Sequence, residues 1–306
     1  MDAIIWVVAM TIRLSSRVRQ LSASATVSIT QRAIELRESG RDVIALSAGE
    51  PDFDTPEHIK EAAITAIRNG ETKYTAVDGT SRLKKAIAEK FRRDNDLHFE
   101  PEQIIVTSGA KQACFNACQA LLEPGDEVLI PAPYWVSYPD MVKLADAEPV
   151  IVHTDETNAF TPSARQIAAA ITEQTRLLIL NSPNNPSGAV YSKQTLQEIA
   201  AVLLEHPRIV VLADDIYEHI RWDGQPFATL AAVAPELAER VLTVNGLSKS
   251  HAMSGWRIGY AAGQQELIRA LVRLQSQSTT NASSVSQAAA CAARVVGMPV
   301  PQAITR

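Results

Sequence analysis

The chain has 306 residues, 46% hydrophobic and 21% charged, with 29 Lys and Arg against 34 Asp and Glu for a net charge of −5. This is the composition of a globular protein long enough for one large domain plus part of a smaller one. The acidic balance, with no basic tract, gives no reason to expect nucleic acid as a partner. Three cysteines, Cys114, Cys118 and Cys291, make no disulfide scaffold and fit a reducing cytoplasm.

In chain order, residues 3–10 (AIIWVVAM) form an apolar run too short to span a bilayer. It follows Asp2 rather than the basic residues of a secretory leader. Met10 reads as the true start, residues 1–13 as an unstructured extension, and Trp6 takes no role. Ser81 can cap a helix running to about Asn95. Apolar runs of strand length follow at 103–107, 127–130, 150–153, 176–180, 209–213, 240–244 and 258–262. Helical periodicities lie between them, at 112–122, 135–145 and 193–205, and EPGDE (123–127) reads as a helix stop and turn. Continuous apolar strands alternating with helices predict an α/β fold, a doubly wound, mostly parallel seven-stranded sheet covered on both faces.

Polar segments stand directly after these strands: SGAK (108–111), NSPNNPSG (181–188), DDIYEH (214–219) and NGLSKS (245–250). Ligands of open α/β sheets bind beyond the carboxyl ends of strands, so the four predict one composite site. SGAK can cradle a phosphate at a helix start, though a plain tight turn is the simpler alternative. Asn185, beside Pro186, offers an amide to an anionic oxygen; an ordinary turn is the alternative. Asp214 ends an apolar strand, where a carboxylate keeps its charge only beside a cation such as a pyridinium N–H; a helix cap by Asp214 or Asp215 is the alternative. Lys249 sits in a small-residue loop, where lysines are mostly solvated. Arg257, inside GWRIGY and entering a buried strand, calls for an anion such as phosphate. Cys114 and Cys118 are one helical turn apart with no completing ligand, and read as core thiols. His219 and His251 read as neighbours of the site at most.

GLSKSHAMSGWRIG (246–259) resembles the pyridoxal-5′-phosphate (PLP) lysine signature of class I aminotransferases. SAGEPDFDTPEHIKEAA (47–63), KYTAVDG (73–79), PYWVSYPDMV (133–142), SPNNPSGAVY (182–191) and DDIYEHI (214–220) resemble the same family's other landmarks, in order. The likeness is to the bacterial aspartate aminotransferase branch, including enzymes that also use prephenate, and runs from about Leu14 to Ala290. It implies a fold type I PLP-dependent transferase, a homodimer, and transfer of the amino group of L-aspartate or a similar amino acid to 2-oxoglutarate. Lys249 would bind PLP covalently and move the proton; Asp214 would pair with the ring nitrogen. Asn185 and Tyr217 would bond the ring's phenolic oxygen, and Trp135 would stack on the ring. Arg257, with backbone near Ala110 and Lys111, would hold the phosphate. Tyr74 would reach the phosphate of a neighbouring subunit. Gly49 would line the substrate carboxylate's site, beside Trp135 and Asn185. Other expectations from the same scaffold are an aromatic, alanine or prephenate aminotransferase, a lyase, a catalytically inactive PLP-binding remnant, or a PLP-binding regulator.

The resemblance implies a domain plan of extension (1–13), N-terminal arm with part of a small domain (14–50), large PLP-binding domain (51–290) and divergent tail (291–306). The tail, VVGMPVPQAITR, places two prolines where the family continues a helix. The family's later segment carries an arginine for the substrate carboxylate. Its lack of a counterpart before Arg306 gives the expectation of a frame error or truncation, with PLP bound but aspartate transaminated poorly, unless Arg37 or Arg269 replaces the clamp.

Overall fold

The computed structural model describes residues 12–21, 25–44, 49–222 and 224–295. The expectations for Met10, Trp6 and the proline-containing tail lie outside these residues. The strands are β1 (Ile104–Thr107), β2 (Glu127–Pro131), β3 (Glu148–Val152), β4 (Thr175–Asn181), β5 (Val210–Asp214), β6 (Val241–Gly246) and β7 (Gly259–Ala262). The helices are α1 (Ser16–Arg19), α2 (Ala25–Glu38), α3 (Glu57–Arg68), α4 (Ser81–Asn95), α5 (Ala110–Leu121) and α6 (Ser137–Leu144). They continue as α7 (Ala164–Ala170), α8 (Lys193–Leu204), α9 (Leu230–Val233), α10 (Gln265–Ser276) and α11 (Ser284–Val295). No helix among the described residues is long and apolar enough to cross a membrane.

The seven strands make one sheet in the order β1-β7-β6-β5-β4-β2-β3. Adjacent strands pair in parallel except β7, which runs antiparallel to both β1 and β6. Successive side chains of a strand point to opposite faces, and the core divides accordingly. Leu178, Leu180, Val211 and Ala213 join the cluster under α3, α4, α8 and α11. Leu177, Ile179, Leu212 and Val244 join the cluster under α5, α6 and α10. All three cysteines are free and buried, and Cys114 and Cys118 belong to this second cluster. Two-sided burial is why the inner strands read as apolar runs, whereas the edge strand β3 is mostly half-exposed.

Two local readings need correction. Thr80, not Ser81, caps α4: its side chain accepts from the Leu83 N–H, and Ser81 is the first helical residue. Arg257 does not enter a strand. It ends a short 3₁₀ turn in the left-handed conformation, φ 55°, two residues before β7 begins.

The reversed β7 fixes the shape of the site. Gly259 at its start pairs with Thr107 at the end of β1 and with Gly246 at the end of β6. The residues just before β7 therefore reach the edge where the parallel strands finish. A Cβ on Gly259 would lie 2.1 Å from the Ala110 nitrogen and 2.3 Å from the Gly109 carbonyl carbon. Both are backbone atoms, so neither can swing aside. We expect Gly259→Ala to cost about 1–3 kcal/mol or more, read as a lowered denaturation midpoint at unchanged m-value.

Candidate active site

The carboxyl ends of β1, β4, β5 and β6 surround a cleft of about 440 Å³. Lys249, Asp214, Tyr217 and Asn185 line it, as do Trp135 and Arg257. Ala110, Lys111 and Gly49 complete its rim. One expected residue stays apart: Tyr74 is 90% exposed and does not line this cleft.

Asp214 is the last residue of β5, two beyond Leu212 and on the same face, so it points toward α5 and α6. It is 4% exposed. Burial pushes its carboxyl up, opposed by the Tyr138 hydroxyl, which donates to Oδ2 at 2.6 Å. The Cys114 thiol lies 3.8 Å from the same oxygen, and the Ile216 N–H donates to Oδ1 at 3.3 Å. None of these partners is a cation. Asp215 points the opposite way, toward Lys90 and Thr229, and burial holds its carboxyl well above the ordinary range.

Asn181 pairs in register with Asp214 and donates to its carbonyl at 2.9 Å. Its side-chain oxygen accepts from the Asn185 N–H at 2.8 Å. This presents the Asn185 amide to the Tyr217 hydroxyl at 3.4 Å. Burial and the nearby Asp214 push the Tyr217 phenol up to about 12, against the pull of Asn185.

Lys249 lies after β6 in the turn 247–252, its ammonium 5.8 Å from the Tyr217 ring centre and donating to the Gly49 carbonyl. Burial lowers its pKa, Arg257 adds to the effect, and Glu50 opposes it. Arg257 donates to the Ser254 carbonyl at 2.7 Å and the Ser108 carbonyl at 3.3 Å. Its guanidinium occupies the space a Cβ on Gly109 would fill, 2.3 Å from Nη2, and Gly109 has φ +85°. Only glycine combines that angle with that approach. Arg257 is thus held against the first turn of α5, where the Ala110 and Lys111 N–H groups have no carbonyl one turn back. The Lys111 ammonium stands 4.7 Å from the Trp135 ring centre, and burial with Arg257 lowers its pKa.

Three contributors escaped the sequence. Tyr138 follows Trp135, which precedes α6, by three residues and meets its ring edge-on at 5.3 Å between centres, a spacing that could have marked it. Cys114, read as a core thiol, is one but also touches Asp214. Asn181 was noticed only as part of its motif. His251 is buried and paired with the Ser250 hydroxyl at 2.8 Å.

A primary amine of lowered pKa, a buried carboxylate and an arginine against a helix start thus meet at the strand ends of a doubly wound sheet, where open α/β enzymes hold their ligands. Residues 41–294 match the family described as aminotransferase class I and II, and the chain belongs to that family. It is 53% identical over 279 residues to an aspartate aminotransferase of Rhizobium meliloti (strain 1021), spanning 91% of this chain and 68% of that protein. It is 52% identical to an aspartate/prephenate aminotransferase of Nitrosomonas europaea, spanning 92% and 71%. The fold matches the crystal structure of the Rhizobium meliloti aspartate aminotransferase with a TM-score of 0.91 at 51% identity, over 95% of this chain and 72% of that one. The Thermus thermophilus enzyme with maleate matches at 0.89 and 48% identity, over 92% and 73%. The fold is therefore that of the fold type I PLP-dependent transferases, as the motifs implied.

Proposed function

We propose that this aminotransferase uses PLP and moves the amino group of L-aspartate, or a similar dicarboxylic amino acid, to 2-oxoglutarate. The observation that carries the reading is the pairing, in one cleft, of a lysine of lowered pKa with a carboxylate that burial disfavours and that no cation among the described residues satisfies. The residues fit the cofactor. Asp214 lacks the N–H cation that a protonated pyridine supplies, and Arg257 with the first turn of α5 forms a phosphate cradle. When bound, PLP supplies an electron-accepting ring and a carbon that holds the amino group between half-reactions.

The remaining work falls to the chain. Lys249 would hold the cofactor and carry the proton at its Nζ. Asp214, charged when facing a cation, keeps the ring nitrogen protonated, and Tyr138 stabilises that charge by donating to Oδ2. Asn185, whose amide donates to the Tyr217 hydroxyl at 3.4 Å, and Tyr217 itself would hold the phenolic oxygen. Trp135 would pack on the ring, and the Gly49 backbone would meet the substrate carboxylate.

The dicarboxylate preference rests on Lys111. Arg257 is committed to the helix start and Lys249 to the cofactor, so among the described residues lining the cleft Lys111 is the cation left for a second carboxylate. The similar Thermus enzyme was solved with maleate, itself a dicarboxylate. Incubation of the PLP-loaded protein with L-aspartate should yield oxaloacetate. Lys111→Met should lower kcat/KM for aspartate about tenfold, the discounted worth of one partly exposed charged contact, and leave alanine nearly untouched. Equal losses on both substrates would remove Lys111 from this role. Prephenate, named in the Nitrosomonas relative, also carries two carboxylates, and the same lysine serves it.

Tyr74 supports a homodimer. We read Tyr74, 90% exposed and outside its own cleft, as reaching the phosphate held by another subunit. Sedimentation should show a dimer at micromolar concentration, with Tyr74→Phe weakening PLP binding by roughly tenfold, the worth of one charged hydrogen bond. A monomer with full PLP affinity would remove Tyr74 from the site.

A further inference from the structure

The segment carrying Asp214 and Tyr217 has a second face. Asp214, Ile216 and Tyr217 line the cleft. Asp215 and Glu218 point away from it, toward α4 and α9. There Lys90, 0% exposed, forms an ion pair with Glu218. Lys90 also donates to the Asn95 side-chain oxygen at 2.7 Å, and the Asn95 amide donates to the other Glu218 oxygen at 2.8 Å. Three side chains thus close a ring between the end of α4 and the turn after β5. His219 lies 3.0 Å from Glu218 and 3.8 Å from Asp94 at its outer edge. Burial alone would push the Glu218 carboxyl up; Lys90, His219 and Asn95 outweigh it and hold the group well below the ordinary carboxylate range.

This is an expensive arrangement for stability alone, since an apolar pair of similar volume often serves a core as well or better. Its position suggests what it is for. The turn is fixed to β6 by the Asp215 N–H on the Val244 carbonyl, 2.9 Å, and closed by Glu218 N–H on the Asp215 carbonyl, 3.0 Å. Glu218 is the next residue after Tyr217, so its tether sets where the Tyr217 ring stands. The Asn185–Tyr217 contact is already long at 3.4 Å, and a small displacement breaks it.

We propose that Lys90, Asn95 and Glu218 are positioning residues that hold Tyr217 against Asn185 across the cleft. This assignment rests on the PLP reading above. Its test uses two variants of the full chain. Glu218→Asp keeps the charge but shortens the arm by one carbon. Lys90→Met with Glu218→Leu removes both charges and keeps an apolar filling. Each is read by circular dichroism, by PLP affinity in equilibrium dialysis, and by the pH midpoint of the bound cofactor's visible absorbance. The expected result is a folded double variant whose midpoint rises, because the phenolic oxygen loses donors, and whose kcat falls about tenfold or more. Glu218→Asp should fall between it and wild type. A folded double variant with wild-type midpoint and kcat would overturn the assignment. Loss of fold in both variants would also overturn it, leaving the ring a plain folding element. Wild-type protein that binds no PLP at all would instead sink the cofactor reading, and the assignment with it.

Discussion

Borohydride reduction of the PLP-loaded protein should fix the cofactor on the peptide containing Lys249, and Lys249→Ala should bind it only noncovalently. Attachment needs a neutral amine, and burial with Arg257 lowers the Lys249 pKa. The sign follows: attachment should quicken as pH rises and level off below the pH at which an exposed lysine does. Amino transfer by Lys249→Ala should fall by at least about a thousandfold, since one residue supplies both attachment and proton carriage. Label on another lysine, or a variant that keeps its rate, would defeat the assignment. Neighbouring Ser250 and His251 are buried and bonded to each other, so they offer no ready substitute.

Asp214→Asn should be nearly as damaging, and Asp215→Asn mild. The two are adjacent and both buried, so chemistry alone does not separate them. The sheet does. Asp214 shares the Leu212 face and meets Tyr138; Asp215 faces Lys90 and Thr229. Burial pushes the Asp215 carboxyl well above the ordinary range, so it carries its charge poorly there, and asparagine is a neutral replacement of nearly the same shape. Asp214 instead lines the cleft, where the ring nitrogen of the proposed cofactor would offset the burial that disfavours its charge. Its loss should lower a half-reaction by about a hundredfold to a thousandfold, while Asp215→Asn should stay within roughly tenfold. The reverse order would mean that β5 is misregistered by one residue, which exchanges its two faces.

Much of this was legible because burial and chemistry leave different marks. All seven strands announced themselves as apolar runs, although β3 begins at Glu148, two residues before the apolar run at 150. The polar segments after β1, β4, β5 and β6 stood out because a buried sheet has few other places for asparagine, aspartate or lysine. The direction of β7 was not legible, since apolar periodicity is the same read either way. Arg257 was expected at the entry to the run 258–262, and the structure sets it two residues before β7, in a left-handed turn. Tyr138 was hidden because an aromatic residue on an amphipathic helix reads as core, which it also is. Lys90 and Asn95 were hidden more completely. They sit in SRLKKAIAEKFRRDN, where lysine and asparagine look like solvated surface, and only the turn after β5, well over a hundred residues on, buries them.

The pairing of Gly246 with Gly259 gives the chain between them two fixed feet. Lys249 stands three residues from one foot and Arg257 two from the other, so this excursion works as a caliper. Its jaws, an amine and a guanidinium, are set apart by a span the sheet dictates. Most loops absorb an added or lost residue with little consequence. A caliper does not: a residue gained or lost between 247 and 258 would change the gap itself, and both jaws would miss together.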